Sequence, residues 1–255
     1  MSIKEQFSLS NKVAIVTGAS KGIGKAIAMG MAQMGAHVVV SSRSQSSVDE
    51  VAQEIEQAGG KALAIACHMG DKEQIAHLVS QTMEQLGGID VVVNNAAINP
   101  VFGPLFAADE TAFDKIMEVN VKGPYHLCKL AFPSMQKRGG GSIVNISSIE
   151  GISPGQGLGM YSISKAAMIS MTKVMANELG EAGIRANVLA PGLVDTKFSE
   201  ALISNEKILK YVLAQQAIKR PAQPEEMAGL AIFLASPASS FVTGGVFVAD
   251  GGYTI

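Results

Sequence analysis

Seven short runs of apolar, mostly β-branched residues are spaced along the chain, and longer stretches with helical periodicity separate them. Runs that are apolar throughout are typical of strands buried on both faces of a sheet. Strands that alternate with helices form a parallel sheet, with helices packed on both sides. The pattern predicts a doubly wound parallel α/β fold, with strands at Val13 to Val16, Val38 to Ser41, Ala62 to Cys67, Val91 to Asn94, Ile143 to Ile146, Ala186 to Leu189 and Val246 to Ala249.

Local signals mark where two of the helices begin. Ser47 and Glu50 have the spacing of a capping box, and Gly59-Gly60 supplies a stop after the apolar stripe that follows them. A second helix is predicted to begin at Pro224, because proline is favourable at the first helical position and two acidic residues follow it.

Composition limits the number of domains and the kinds of partner. At 255 residues, with 47% apolar and 16% charged residues, the chain can bury a large core and fits a single domain over 1–255. The formal net charge of −2 and the lack of a long basic run argue against nucleic acid or an anionic membrane surface. We therefore expect a small-molecule ligand.

The cysteines and the first residues bear on the compartment. Cys67 and Cys128 are too few for a disulfide framework, and neither has a Cys or His at metal-ligating spacing, so no metal site is predicted. The first residues lack the apolar stretch of a secretory signal, and no apolar run approaches the roughly 20 residues of a membrane span. The expected location is cytoplasmic.

A glycine-rich turn follows the first strand. It reads Thr17-Gly-Ala-Ser-Lys-Gly22-Ile-Gly24 and leads directly into a predicted helix. Gly18 permits a tight exit from the strand, Gly22 lets the backbone approach a pyrophosphate, and Gly24 allows the helix to pack on the sheet. The first amides of the helix would face the anion. The turn predicts a dinucleotide site, with an ordinary glycine-rich turn as the simpler alternative.

A tyrosine and a lysine stand four residues apart, at Tyr161 and Lys165, with Ser148 thirteen residues before the tyrosine. On a helix, residues at i and i+4 share a face, so the ammonium would lie beside the phenol and lower its pKa. A tyrosine with a lowered pKa can act as a general acid near neutral pH. The spacing alone occurs by chance, but together with a nucleotide turn it indicates an active site.

These motifs resemble those of the classical short-chain dehydrogenase/reductases, and the resemblance covers essentially the whole chain. It implies a Rossmann-type fold. The matching segments are Thr17 to Gly24, Asn94 to Ala97 with Ala in place of the family's last Gly, Asn120, Ser148, Tyr161, Lys165, and Pro191-Gly192 with Thr196. Loop segments at Ser41 to Arg43, Cys67 to Gly70, Asn95 to Gly103 and Lys137 to Ser142 are most similar to the NADP-dependent carbonyl reductase and retinol dehydrogenase/reductase branch.

The resemblance implies hydride transfer between a nicotinamide and a carbonyl carbon. Tyr161 would donate the proton, Lys165 would bind the nicotinamide ribose, and Ser148 would donate a hydrogen bond to the substrate oxygen. Asn120 would hold a water that relays protons from Lys165, unless it only distorts its helix. The enoyl-reductase branch spaces its tyrosine and lysine more widely, which disfavours C=C reduction. Sugar-nucleotide epimerases share the pair but are longer.

Charge at the end of the second strand favours NADP(H) over NAD. Relatives that prefer NAD place an acid near position 42, where this chain has Ser42. Arg43 and Lys21 could instead bind a 2′-phosphate through charge-assisted hydrogen bonds, or both could be solvated surface residues. The remaining cofactor contacts implied by the resemblance are Gly18, Ser20, Gly22, Ile23, Gly24, Asn95, Ala96, Tyr161, Lys165, Pro191, Gly192, Val194 and Thr196. His68 stands where relatives carry Asp near the adenine, and is either a reshaped adenine contact or a surface residue.

The substrate pocket is expected on loops around the catalytic serine. Apolar walls are predicted from Phe102, Leu158, Phe198 and Leu202, and the irregular segment 197–213 is the candidate lid. Glu150 follows the serine by two residues, where similar enzymes carry a small or apolar residue. It would favour a substrate with a second polar group, or else lie at the cleft rim facing solvent.

Two other functions stay open, and one assembly is expected. A 3-oxoacyl-carrier or CoA reductase is the nearest alternative, although such enzymes tend to carry basic residues where this chain has Glu178 and Glu181. A non-catalytic NADP-binding redox sensor would have no use for the serine, tyrosine and lysine together. The family commonly forms tetramers through two long helices and the C-terminal strand, so we expect a homotetramer.

Overall fold

The computed structural model describes residues 2–107 and 109–255. Its strands form one seven-stranded parallel sheet in the order β3-β2-β1-β4-β5-β6-β7. The predicted doubly wound fold is confirmed, and each predicted strand is present within a few residues of its expected ends. The strands are β1 Val13–Thr17, β2 His37–Ser42, β3 Lys61–Ala66, β4 Val91–Asn94, β5 Gly141–Ile146, β6 Ile184–Pro191 and β7 Val246–Ala249.

Helices cover both faces of the sheet. Within the described ranges they are α1 Ile3–Gln6, α2 Gly22–Gln33, α3 Gln45–Gln57, α4 Lys72–Leu86, α5 Glu110–Met117, α6 Gly123–Lys137, α7 Gly159–Leu179, α8 Glu200–Ile203, α9 Glu206–Gln215 and α10 Glu225–Ala235. None of these helices, nor any other part of the described chain that is helical, has both the length and the apolar character required to cross a bilayer.

Alternate residues of the strands enter two different cores. Ala14 and Val16 belong to the cluster that packs with α2, α3 and α10, whereas Ile15 belongs to the cluster that packs with α4, α6 and α7. Val38 and Val39 divide in the same way. Because both faces are buried, successive side chains must all be apolar. This explains the continuous apolar runs in the sequence.

The strand order reverses between β1 and β4. From β1 the chain first builds outward through β2 and β3, and then resumes on the other side with β4 to β7. The connections that leave β1 and β4 therefore diverge, and a crevice opens at the carboxyl ends of these strands. Thr17 ends β1 and Asn94 ends β4 at that edge. The fold thus places the glycine turn and the Asn94 segment side by side.

Two predicted helix starts are wrong in detail. Helix α3 is capped by Ser44, whose hydroxyl accepts the Ser47 N–H at 3.4 Å, so Ser47 lies inside the first turn. The helix starts early because Gln45 is fixed to the adjacent strand, where its Oε1 accepts the Ala66 N–H at 2.9 Å. Pro224 occupies the capping position, one residue before the first helical residue of α10.

Segment 197–213 is more regular than its sequence suggests. It contains α8 and most of α9, and neither helix has a buried residue. The side chain of Asn205 caps α9 by accepting the N–H groups of Lys207 and Ile208. The segment is therefore a pair of short, exposed helices attached to the end of β6. Its role as a lid stays a prediction.

Candidate active site

The glycine turn has the shape that its sequence predicts. Gly18 and Gly22 have φ values of +64° and +56°, which favour glycine. A Cβ on Gly24 would fall 2.4 Å from the Gly18 carbonyl oxygen, so a larger residue there would push α2 away from the strand. Ser20 and Ile23 lie partly buried within the turn. The cradle and the N-terminal amides of α2 fit the pyrophosphate of a dinucleotide.

A set of hydrogen bonds braces the glycine turn against the segment after β4. Thr17 Oγ1 accepts the N–H groups of Asn95 and Ala96 at 3.0 and 3.1 Å and donates to the Val93 carbonyl. The Asn95 amide nitrogen donates to the carbonyls of Thr17 and Gly18 at 2.9 and 3.1 Å. The Asn95 amide group is thus turned toward the protein. Its direct contribution is to fix the turn.

The structure brings Ser148, Tyr161 and Lys165 together. Ser148 follows the end of β5, and the other two lie on α7 as the spacing predicts. Lys165 Nζ is 5.4 Å from the centre of the Tyr161 ring and donates to the Ile146 carbonyl at 2.8 Å. Ser147 Oγ donates to the Lys165 carbonyl at 2.9 Å. The strand end and the helix are therefore fixed to each other at the catalytic residues.

Burial dominates the protonation of these side chains. It lowers the pKa of Lys165 to about 7, because an ammonium in an apolar interior loses its hydration. It also raises the pKa of Tyr161 above the ordinary value; the Ser148 hydroxyl opposes this rise and the Glu150 carboxylate adds to it. The expected lowering of the tyrosine pKa by Lys165 is therefore wrong for this structure. The physical reason is that desolvation outweighs a cation that burial itself tends to neutralise.

Asn120 lies in a single π-helical turn between α5 and α6 and is fully buried. Its side-chain oxygen accepts the Ile98 N–H at 2.8 Å, and its nitrogen donates to the Ile98 carbonyl and to Ser164 Oγ, each at 3.0 Å. Pro124 has no N–H, so it cannot donate the bond that an α-helix would form to the Asn120 carbonyl. The Asn120 side chain therefore links the segment after β4 to the catalytic helix, and the residue lies where its own helix is irregular.

The segment after β6 lies across the crevice from α2. Gly192 N–H donates to the Ala249 carbonyl at 3.0 Å, and Val194 pairs with Ala222 as an isolated bridge. The methyl group of Thr196 is so near the glycine turn that a Cβ on Gly22 would meet it at 3.1 Å. With Pro191 at the end of β6, the predicted nicotinamide segment adjoins the predicted pyrophosphate turn.

The two cations predicted to select the cofactor are both exposed: Arg43 directly follows β2, and Lys21 directly precedes α2. Within residues 2–107 and 109–255, neither Arg43 nor Lys21 forms an ion pair. Ser42 is partly buried, and its carbonyl accepts the Cys67 N–H at 2.7 Å. His68 follows β3, and its Nδ1 accepts the Gly70 N–H at 3.1 Å. This bond fixes the imidazole in a local turn and leaves Nε2 as the nitrogen that could meet a ligand.

Apolar side chains surround the opening above the catalytic residues. The Phe198 ring centre is 5.8 Å from that of Tyr161, and the Phe198 side chain is 55% exposed. Phe102 packs its ring over Gly157, whose carbonyl accepts the Gly103 N–H at 3.0 Å. Leu158 precedes α7 and Leu202 lies on α8, both partly buried. An exposed aromatic ring beside a buried tyrosine is suited to contact an apolar ligand.

Glu150 is occupied by the protein itself. Its Oε2 accepts the Gly155 N–H at 2.7 Å and the Ser162 hydroxyl at 2.9 Å. Glu150 is partly buried, and one of its two carboxylate oxygens is therefore held by the cleft loop and by α7. Its position two residues after Ser148 marked it as unusual, but the partners come from segments that only the fold brings together.

Several supporting residues could not be found from sequence motifs. Ser147, Ser162 and Ser164 each form a buried hydrogen bond to or within α7, and Thr17 braces the glycine turn. The only signal available was their position directly beside a motif residue. A hydroxyl adjacent to a catalytic residue is a reasonable candidate for such support, because a buried hydroxyl requires a partner.

Comparisons with known proteins identify the family of this chain. A protein-family model described as enoyl-(acyl carrier protein) reductase matches residues 18–254. Dehydrogenase/reductase SDR family member 4 of Oryctolagus cuniculus is 44% identical over 244 residues, which cover 96% of this chain and 94% of the relative. Dehydrogenase/reductase SDR family member 2, mitochondrial, of Homo sapiens is 39% identical over 92% of this chain and 84% of its own.

Solved structures with the same architecture carry different ligands. A gluconate 5-dehydrogenase from Burkholderia cenocepacia, in complex with NADP and tartrate, superimposes with a TM-score of 0.95 at 31% identity and covers 99% of both chains. A 7α-hydroxysteroid dehydrogenase complexed with NADH and 7-oxo glycochenodeoxycholic acid gives 0.94 at 36% identity, over 99% of this chain and 98% of that one. The chain belongs to the short-chain dehydrogenase/reductase family of oxidoreductases, on the branch of dehydrogenase/reductase members 4 and 2.

Proposed function

We propose that the protein is an NADP-dependent oxidoreductase that interconverts a carbonyl and a primary or secondary alcohol by hydride transfer. The observation that carries the proposal is the meeting of Ser148, Tyr161 and Lys165 beside the glycine turn, at the carboxyl edge of the sheet. A nicotinamide bound here would supply or accept the hydride. The protein supplies the proton and fixes the orientation of the substrate oxygen.

Tyr161 is the proton donor in carbonyl reduction. The phenol is protonated at neutral pH because its pKa lies well above neutrality, so it holds the proton that the substrate oxygen must receive as the hydride is transferred. Ser148 donates a hydrogen bond to the same substrate oxygen and favours the charge that develops there. In alcohol oxidation Tyr161 must first lose its proton, so this direction needs a nearby positive charge. Burial lowers the pKa of Lys165 to about 7, and its proton is therefore readily exchanged near neutrality.

Protons leave the site along α6 in this proposal. The Asn120 side chain is fully engaged with Ile98 and Ser164, so its backbone carbonyl is the group that would hold a relay water. The missing N–H of Pro124 leaves that carbonyl without its α-helical donor. A water there would connect Lys165 to solvent. Asn120 thus remains the proposed relay residue, and its backbone carbonyl oxygen is the atom that would bind the water.

NADP is the cofactor that the charges favour. Arg43 after β2 and Lys21 in the glycine turn are exposed cations, and with Ser42 the chain lacks the carboxylate that would repel a 2′-phosphate. Each charged hydrogen bond to the phosphate contributes about 1.5 to 3 kcal/mol. Two such bonds would favour NADP over NAD by more than about a hundredfold. His68, turned into its own loop through Nδ1, would contact adenine through Nε2.

Reduction of a C=C bond is the function named in the description of the matching family model. The spacing of four residues between Tyr161 and Lys165 supports carbonyl chemistry instead. A 3-oxoacyl-carrier reductase would dock an acidic carrier near the end of α7, where Glu178 and Glu181 are exposed and would repel it. A redox sensor without turnover would leave the buried Ser148, Tyr161 and Lys165 unexplained.

The walls of the cleft support an apolar substrate. Phe102 and Phe198 are largely exposed beside the catalytic residues, and α8 and α9 lie next to them as a candidate lid. Closure of that segment over a bound substrate would bury its apolar residues and exclude water from the hydride-transfer step.

We expect a homotetramer in the cytoplasm. Exposed apolar side chains lie on both long helices, at Tyr125 and Leu130 of α6 and Val174 of α7, and at Val248 of the edge strand β7. Contact between copies of the chain would cover them. The two thiols are buried and free, which fits a reducing compartment. Light scattering that gives the 26.5 kDa of one chain at micromolar concentration would refute the tetramer.

The experiment that tests the proposed activity is a screen of NADPH oxidation. The substrates are aldehydes, aromatic ketones, α-dicarbonyls, retinal, 3-oxoacyl thioesters and an enoyl thioester. We expect turnover of at least one carbonyl class and no reaction with the enoyl thioester. Turnover confined to the enoyl thioester would overturn it.

A further inference from the structure

Ser199 joins the predicted nicotinamide segment to the first helix of the candidate lid. It directly precedes α8 and is only 9% exposed, although it is polar. The residues that follow it, 200–215, form α8 and α9 and include no buried side chain. At the other end of this helix pair, Gln216 is buried, and its side-chain nitrogen donates to the Asp250 carbonyl at 3.0 Å. An exposed segment is thus held at each end by a buried polar side chain.

The partners of the Ser199 hydroxyl lie in the segment after β6. The hydroxyl donates to the Val194 carbonyl, and its oxygen lies 3.1 Å from the Thr196 carbonyl oxygen. The same oxygen accepts the Thr196 backbone N–H at 3.2 Å and lies 3.1 Å from Thr196 Oγ1. One buried hydroxyl therefore contacts both the backbone and the side chain of Thr196, which is a predicted cofactor contact.

These contacts determine which oxygen of the Ser199–Thr196 pair is the donor. A carbonyl oxygen can only accept, so the single proton of the Ser199 hydroxyl points to the Val194 or the Thr196 carbonyl. Toward the Thr196 hydroxyl, the Ser199 oxygen then acts only as an acceptor. The Thr196 hydroxyl proton is therefore directed to Ser199, and Thr196 Oγ1 has only acceptor capacity left.

The protein uses that acceptor capacity only in part. The Ser199 backbone N–H donates to Thr196 Oγ1 at 3.4 Å, which is long for a hydrogen bond. A hydroxyl oxygen has two lone pairs, so one stays available to a donor on a ligand. Thr196 is partly buried, and its methyl group adjoins the glycine turn at Gly22. A dinucleotide held by that turn would therefore lie beside an acceptor.

We propose that Ser199 is a positioning residue, which holds Thr196 as a hydrogen-bond acceptor for the amide NH₂ group of a bound nicotinamide. The inference rests on the proposed function. The carboxamide is the substituent of the nicotinamide ring that forms hydrogen bonds, and its NH₂ group is a donor. Thr196 accepts one of those protons, while Ser199 keeps the Thr196 hydroxyl proton directed away from it.

The test compares NADP⁺ with its 3-acetylpyridine analogue, in which a methyl group replaces the amide NH₂ and the carbonyl oxygen is kept. Dissociation constants are measured by isothermal titration calorimetry, which needs no turnover. Ser199→Ala should weaken binding of NADP⁺ by about three- to tenfold, the range of one neutral hydrogen bond. It should change binding of the analogue by less than about twofold. Equal weakening for both ligands, or none for NADP⁺, would overturn the inference.

A second variant tests whether Ser199 acts through Thr196. Thr196→Val removes the acceptor and keeps a branched side chain, so it should weaken NADP⁺ binding and spare the analogue in the same way. Adding Ser199→Ala to Thr196→Val should then leave the ratio of the two dissociation constants unchanged, because the two residues act as one unit. A further change in that ratio, as large as in the wild-type background, would contradict a role through Thr196.

Two controls separate this role from a general loosening of the helix pair. Gln216→Leu removes the hydrogen bond at the other end of the pair, and Ser204→Ala makes the same serine-to-alanine change at an exposed position at the end of α8. Neither variant should alter the ratio of the two dissociation constants. If Gln216→Leu alters it as much as Ser199→Ala does, the ratio depends on the helix pair and the inference fails.

Failure of this inference and failure of the proposed function give different results. A wild-type protein that binds neither NADP⁺ nor NADPH would overturn both. If the protein binds NADP⁺ but reduces no carbonyl, the proposed reaction fails, and the ratio of dissociation constants still tests Ser199. If the protein reduces carbonyls and Ser199→Ala affects both ligands equally, only the inference fails.

Discussion

The two sides of the cleft are built differently. On the catalytic side, Tyr161 and Lys165 are buried on a long helix that is hydrogen-bonded to the end of β5. On the opposite side, Phe102 and Phe198 extend from loops and are more than half exposed. A reaction needs fixed geometry, because small displacements of acid–base groups cost rate. Recognition of a varied substrate can instead rely on adaptable apolar contacts. We propose that this contrast lets one fold accommodate ligands as different as those named for the structural relatives.

The largest effect is expected on the catalytic side. Tyr161→Phe should lower kcat by at least about 10²-fold, because it removes the proton donor. NADPH binding, followed by fluorescence, should be nearly unchanged because the glycine turn is intact. Tyr125→Phe, at an exposed tyrosine on α6, is the matched control and should keep wild-type kcat. More than about a tenth of the wild-type kcat in Tyr161→Phe would be incompatible with general acid catalysis by this residue.

The second-largest effect is expected on the preference for NADPH over NADH, at the edge of the catalytic side. Arg43→Asp should reverse the preference toward NADH, with a change in the ratio of kcat/KM values of about a hundredfold. The physical reason is that a carboxylate repels the 2′-phosphate and accepts from a 2′-hydroxyl. Lys4→Asp, an exposed cation on α1, makes the same charge reversal away from the cleft and should leave the ratio unchanged. Equal kcat/KM for both cofactors in the wild type would show that neither Arg43 nor Lys21 reaches the phosphate.

A third prediction tests whether Lys165, on the catalytic side, is shielded from water. Burial lowers the pKa of Lys165 from an ordinary value of 10.5 to about 7, so between these pH values the unfolded chain binds more protons than the folded one. The free energy of unfolding should therefore rise with pH from about 7 toward 10. Below about 7 both states hold the proton and the contribution is constant.

Urea unfolding of the wild type and Lys165→Met across this range isolates the effect. The difference between the two free energies should change with pH in the stated direction, because methionine does not titrate. If the difference in free energy of unfolding between the two proteins does not change with pH, Lys165 is hydrated in the folded state. The catalytic side would then be as accessible to water as the substrate side.

The smallest effect is expected on the substrate side. Phe198→Ala should raise KM for aromatic ketones several-fold, since it removes apolar contact, while kcat changes little. The melting temperature should stay near that of the wild type because the ring is 55% exposed. A fall in kcat comparable to that of Tyr161→Phe would contradict the proposed division between the two sides.

The parts of the molecule that the sequence predicts are those fixed by local pattern. Buried strands need continuous apolar runs, and the tyrosine–lysine pair needs a helical spacing, so both are visible in the chain. The start of α3 was misplaced because Gln45 is held by Ala66, twenty-one residues later. The partners of Glu150 could not be predicted for the same reason, since Gly155 and Ser162 contact its carboxylate only after folding.

Protonation could not be predicted from spacing alone. The i and i+4 positions of Tyr161 and Lys165 led to the expectation of a lowered tyrosine pKa. Burial of both side chains reverses that direction for Tyr161. Burial depends on how the sheet, α7 and the turn at Glu150 pack together. A sequence motif does not specify that packing.

The most direct test of the central claim follows the hydride itself. NADPH carrying deuterium at the nicotinamide C4, prepared in both configurations, is mixed with enzyme and the best carbonyl substrate of the screen, and the product is analysed by mass spectrometry and NMR. We expect one configuration to transfer deuterium to the carbinol carbon, and Tyr161→Phe to abolish the transfer. No transfer to the carbinol carbon from either configuration, or transfer only to a carbon of the enoyl thioester in a parallel reaction, would contradict it.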